Sequence, residues 1–197
     1  MEQQCRAQTR SSEQLEQIFN FSFSSIENTV LMGGATEPLY LPAGMDYSAH
    51  IRLSNPCHVM TEKHHIFYRA NYFSSALHEV AHWCIAGERR RALLDYGYWY
   101  APDGRDKSEQ TAFELVERKP QALEWAFSLA AGIQFRVSND NLAMLEVSDS
   151  EFQEKVWHQL QAYCEFGFPA RAGIFLNGLF SYYGSSKNRL LAQVKER

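Results

Sequence analysis

The stretch Phe73-Ser74-Ser75-Ala76-Leu77-His78-Glu79-Val80-Ala81-His82-Trp83-Cys84-Ile85-Ala86-Gly87 decides how the rest of the chain is read. Its residues fall into helical stripes. Leu77, Val80, Ala81 and Cys84 make an apolar stripe suited to a core, and His78, His82 and Ile85 fall on an adjacent one. The pattern predicts a helix over about 72–86, capped by Asn71 or Ser74 and ended by Gly87. Such a helix packs on a sheet while pointing two histidines, four residues apart, into a cleft where both imidazoles reach one ion. Glu79 is placed as the acid/base group that metal-dependent hydrolases use at this spacing.

Working outward, Ser11 with Gln14 predicts a capping box in front of Leu15, Ile18 and Phe19, hence a short first helix. Short apolar runs at 29–32, 39–41, 51–53 and 66–69 are separated by Gly33-Gly34, Pro42-Ala43-Gly44 and Asn55-Pro56, and read as strands and turns. After the histidine helix, Arg89-Arg90-Arg91 reads as a solvated helix end. A Gly- and Pro-punctuated aromatic loop follows, with Asp103 and Asp106 as turn formers around Gly104. Helices are then predicted at about 107–118, 120–132, 150–165, 169–183 and 187–195, with Pro120 in the first turn of a new helix or at a kink. The order gives an α+β fold, with residues 1–197 as a single domain. A small sheet from the N-terminal third packs with a metal-bearing helix and a mostly helical C-terminal half.

Composition narrows the class. At 45% apolar and 21% charged the chain has the make-up of a soluble globular protein. Its net charge of -4 argues against nucleic-acid binding driven by bulk charge. No apolar run is long enough to cross a membrane, and Met1–Gln14 is too polar for a secretory signal. Cys5, Cys57, Cys84 and Cys164 are scattered without metal or disulfide spacing, so reduced, packed thiols in a cytoplasm are expected. His50, His58, His64 and His65 lack metal spacing and are read as structural or exposed.

Two histidines do not hold a metal firmly, so a third ligand is sought. Gln110, Glu114, Glu117 and Gln121 form a polar stripe downstream, opposite Phe113 and Val116, and Glu114 is the first candidate with Glu117 as its alternative. With Zn²⁺ the trio suits a hydrolase, peptidase or nuclease, that uses Glu79 as general base. With Fe²⁺ it is the facial triad of non-haem oxygenases. Tyr96, Tyr98, Trp99, Tyr100 and Arg105 in the aromatic loop are the candidate substrate-binding residues, since aromatic faces hold aliphatic ammonium groups by cation–π contact.

Several longer strings resemble one family. They are His78-Glu79-Val80-Ala81-His82-Trp83-Cys84-Ile85-Ala86-Gly87, Tyr96-Gly97-Tyr98-Trp99-Tyr100-Ala101-Pro102-Asp103-Gly104-Arg105-Asp106, Phe113-Glu114-Leu115-Val116-Glu117 and Lys119-Pro120-Gln121-Ala122-Leu123-Glu124-Trp125. With Glu37-Pro38-Leu39-Tyr40-Leu41-Pro42 and Val137-Ser138-Asn139-Asp140-Asn141-Leu142, they resemble the bacterial elongation factor P hydroxylases over roughly residues 37–142. The resemblance implies a cytoplasmic enzyme that hydroxylates the β-lysylated lysine of elongation factor P, with no membrane or direct nucleic-acid partner. It implies a fold similar to zincin-like folds and the metal-dependent endoribonucleases of ribosome maturation. It also implies a non-haem Fe²⁺ centre, which another divalent metal can occupy, with an open co-substrate. His78 and His82 are then the ligands, the carboxylate falls on Glu114 or Glu117, and Glu79 becomes an ammonium partner or acid/base group.

Overall fold

The computed structural model describes residues 10–46, 48, 50–54, 59, 61–95, 106–138 and 148–197. In chain order the elements are α1 (Ser12–Phe23), β1 (Thr29–Ala35), β2 (Leu39–Leu41), β3 (His64–Arg69), α2 (Phe73–Ile85), α3 (Glu88–Arg91), α4 (Lys107–Ala131), α5 (Ser148–Phe166), α6 (Ala170–Tyr183) and α7 (Lys187–Lys195). This is the expected α+β arrangement of a small sheet and a helical C-terminal half. The Ser11 amide donates to Gln14 Oε1 at 3.3 Å, the return bond of the capping box in front of α1.

The sheet has the order β1-β3-β2, with β1 parallel and β2 antiparallel to β3. As the central strand, β3 is buried on both faces. Its period of two sends Ile66 and Tyr68 into the main core and Phe67 into a smaller cluster with Ala35, Leu39, Leu41 and Ile51.

Two strand expectations need correction. Gly33-Gly34 is a bulge inside β1 rather than a turn after it: the register with β3 shifts between Met32 and Ala35. Gly34 has φ +81°, and a Cβ on Gly33 would meet the Tyr68 ring at 2.6 Å, so both positions need glycine. The run 51–53 does not make a strand. Thr36 N–H to Arg52 O (3.2 Å) and Ser54 N–H and Oγ to Gly34 O (2.9 and 3.1 Å) tie it to the end of β1, while Ile51 fills the smaller cluster.

Helix α2 lays Leu77, Val80, Ala81 and Cys84 into the main core, which also holds Ile66 and Tyr68. Tyr72, not Asn71 or Ser74, is its N-cap, without a side-chain bond, and Gly87 is the N-cap of α3 rather than a left-handed stop for α2. Arg90 pairs with Asp95 (2.6 Å) and Arg91 with Glu27 (2.9 Å), so these two are braced, while Arg89 is solvated as expected.

The other correction is in α4, which is one helix where two were expected. It runs through Pro120. Proline removes one N–H from the ladder, leaving the carbonyl four residues back without its donor. That residue is Val116, 43% exposed, so water can serve the carbonyl. Asp106 is the N-cap rather than a turn former: it accepts from Ser108 N–H (2.8 Å) and Glu109 N–H (2.9 Å), and Gly132 at φ +70° closes the helix. The result is a 25-residue rod that packs against α2, α5, α6 and α7.

Candidate metal centre

The site lies where α2 meets α4. On α2, the adjacent stripe turns His78 and His82 toward α4, and their Nε2 atoms are 3.1 Å apart. On α4, Glu117, Gln121, Glu124 and Ser128 recur at helical spacing, and all four are buried. Of the polar stripe expected here, Gln110, Glu117 and Gln121 are buried and Glu114 is not, while Leu115 and Val116 point outward.

Glu117 completes the cluster. Its Oε1 is 3.2 Å from His82 Nε2, and its Oε2 is 3.7 Å from His78 Nε2. Two atoms each about 2.1 Å from one ion lie at most about 4.2 Å apart, a limit that all three spacings meet. His78, His82 and Glu117 therefore fit as three ligands of one ion. Glu114, the first sequence candidate, is directed elsewhere and pairs with Lys155 Nζ at 2.7 Å. One helical turn separates the two glutamates, and the packing of α4 on α2 chooses between them.

The surroundings favour a cation. His78 Nδ1 is 2.9 Å from Glu124 Oε2, which makes Nδ1 the protonated nitrogen and leaves the Nε2 lone pair toward His82 and Glu117. Burial pulls the His78 pKa down, but the hydrogen bond to Glu124 and the charges of Glu124, Glu117 and Glu79 outweigh it and hold it up at about 10. A proton thus occupies the site as its cation when no metal does. Burial also raises the Glu79 carboxyl above its usual range. Glu79 lines the cleft beside the trio without being part of it.

Glu124, the carboxylate that meets His78, is a candidate site residue that the sequence did not single out, although it stands seven residues from Glu117 on the same face. Gln121 is the other tie. Its Nε2 donates to Ser138 O (2.8 Å), its Oε1 accepts from Ser138 N–H (3.0 Å), and Nε2 lies 3.4 Å from Glu117 Oε2. One buried amide therefore pins the 133–138 wall of the cleft to the helix that carries Glu117. Cys84 is in the core with its thiol pushed up by burial, an inert packing residue. His65 is buried and stacks on Phe67, and His64 Nδ1 accepts from Ala43 N–H, so both are structural. Tyr96, Tyr98, Trp99, Tyr100 and Arg105 lie outside the described residues, as do Cys5, Cys57 and His58.

The centre opens into a cleft of about 550 Å³, bounded by α2, α4 and the 133–138 segment, a size suited to a long side chain. Among the described residues no helix is long and apolar enough to cross a membrane.

The elongation factor P hydroxylase family model matches residues 18–193. The chain is 40% identical over 178 residues to the elongation factor P lysine hydroxylase of Haemophilus influenzae, covering 89% of this chain and 91% of that protein. Both matches are to hydroxylases, and the zinc hydrolase reading with Glu79 as general base finds no support in them. The strings around the two histidines and along α4 thus sit within a match that extends over most of the sequence, and the chain belongs to the elongation factor P hydroxylase family.

Proposed function

We propose that this chain adds one oxygen atom to the β-lysylated lysine side chain of elongation factor P, in the cytoplasm, at an iron ion held by His78, His82 and Glu117. The observation that carries the reading is the convergence of those three ligand atoms at the floor of a cleft, in a chain of this family. Iron bound by two imidazoles and one carboxylate supplies open positions for O₂ and substrate.

The protein's own groups do the rest. Glu124 holds the His78 ring in the tautomer that presents Nε2. Glu79, Glu117 and Glu124 make the floor acidic, which draws a long cationic chain inward and opposes its withdrawal. Glu79, with its raised pKa, is suited to exchange a proton with an ammonium in the cleft. Tyr96, Tyr98, Trp99, Tyr100 and Arg105 are proposed as a further wall for that chain. Unchanged activity and folding in Tyr98→Ala and Trp99→Ala would remove them from it.

The deciding experiment is the intact mass of elongation factor P from cells that lack their own hydroxylase. A gain of one oxygen atom with the wild-type chain, absent with His78→Ala, supports the reading. No gain from a folded, metal-loaded wild-type chain overturns it. Full activity with Zn²⁺ and no O₂ overturns the iron assignment.

A further inference from the structure

The mouth of the cleft carries charge opposite to its floor. Besides the floor carboxylates, the lining includes Arg69, the last residue of β3, and Arg136, from the segment after α4. Both are exposed, and neither guanidinium has a partner among the described residues. The half-buried Arg90 and Arg91 meet carboxylates, and Arg171 donates to the carbonyls of Cys84 and Ala86. The exposed Arg52, Arg89 and Arg189 also have no guanidinium partner among the described residues, so the place of Arg69 and Arg136 on the lining of this cleft is what sets them apart. Tyr72, 59% exposed, lines the same mouth at the N-terminus of α2. The first turn of α2 has no acidic residue, so its dipole adds to the positive rim.

We propose that Arg69, Arg136 and Tyr72 form a docking surface for an acidic face of the protein that carries the modified lysine. Carboxylates around that lysine engage the two guanidinium groups while the cationic chain passes between them to the acidic floor. The assignment rests on the substrate reading given above. An acidic floor alone attracts any cationic chain and selects nothing about the protein that bears it. A cationic rim above it favours a lysine set among carboxylates and repels one set among basic residues. In a chain of net charge -4, two arginines at the mouth without a partner among the described residues are a local reversal, too small for binding driven by nucleic-acid phosphates.

The test measures association of the metal-loaded chain with β-lysylated elongation factor P by biolayer interferometry over a salt series. Wild-type binding should weaken as salt rises. Arg69→Glu with Arg136→Glu should weaken it by about tenfold or more, chiefly through slower association, with metal content unchanged. The paired lysine substitutions should keep most of it. If the double variant melts lower, Arg136→Glu alone carries the test, because Arg136 lies outside any helix or strand.

In cells, the double charge reversal should lower the fraction of elongation factor P that gains oxygen. Equal binding and equal oxygen gain in wild type and double variant overturn the docking surface and leave the substrate reading standing. No gain with the wild type sinks the substrate reading itself. Binding of a short RNA more tightly than elongation factor P at the same salt, lost in the double variant, overturns the acidic-protein assignment in favour of phosphate.

Discussion

Glu124 Oε2 and His78 Nδ1 are 2.9 Å apart, and this bond decides which nitrogen of the ring is free to bind a metal. Without it the imidazole can turn or take the tautomer with its single proton on Nε2, and the Nε2 lone pair is no longer held toward the ion. Loss of such a partner typically costs metal affinity about 10–100-fold. Glu124→Ala should show that loss in a competition titration against a chromophoric chelator. Glu124→Gln keeps an acceptor oxygen and should lose less. Wild-type affinity in both variants would remove Glu124 from the site.

Glu117 and Glu114 make a paired test of the third ligand. Glu117 is 2% exposed beside both imidazoles, whereas Glu114 pairs with a half-exposed lysine. Glu117→Ala should abolish stoichiometric metal binding and the oxygen gain. Glu114→Ala should cost only the worth of an exposed pair, about 0–1 kcal/mol of stability, and leave metal content intact. The reverse pattern would move the ligand to Glu114.

The sequence made α2 legible because a period of 3.6 separates its two faces without reference to anything else. Leu77, Val80 and Ala81 had to face a core, and the histidines then had to face beside it. The choice between Glu117 and Glu114 depends on how α4 rotates against α2, which is a property of packing and not of either helix. Glu124 was hidden by Pro120. Ending a helix there breaks the 117–121–124–128 stripe in two, and only the continuous rod shows it whole. The β1 bulge was obscured in a similar way, since Gly33-Gly34 has the composition of a turn, and the close approach of Tyr68 is a tertiary fact.

The His78 pKa of about 10, raised from 6.5, makes the metal-free protein sensitive to pH. Between those values the folded form keeps a proton that the unfolded form releases. The stabilisation is therefore full below pH 6.5 and is lost as pH rises through 10. Bound metal displaces the same proton, so loading should release it to solvent and tighten as pH rises. Melting curves of metal-free wild type and His78→Ala across this range, with proton release followed by a pH indicator, check both points. A metal-free melting point that does not fall with rising pH would contradict the assignment.

Gln121 offers a separate handle on the cleft wall, since its amide makes two bonds to the Ser138 backbone and approaches Glu117 at 3.4 Å. Gln121→Ala removes both bonds and leaves a gap at a position 1% exposed. The loss should be about 1–2 kcal/mol, because Ser138 is exposed enough for water to replace part of it. For a chain of this size that lowers the melting point by roughly 2–8 °C. The three ligands are untouched, so metal should still bind, while the freed 133–138 wall should raise KM more than it lowers kcat. Gln121→Glu separates the two roles of the amide. It keeps the length but sets a second carboxylate beside Glu117, so it should destabilise the metal-free protein more than the metal-loaded one. Equal destabilisation of both forms would show that Gln121 acts on the wall alone.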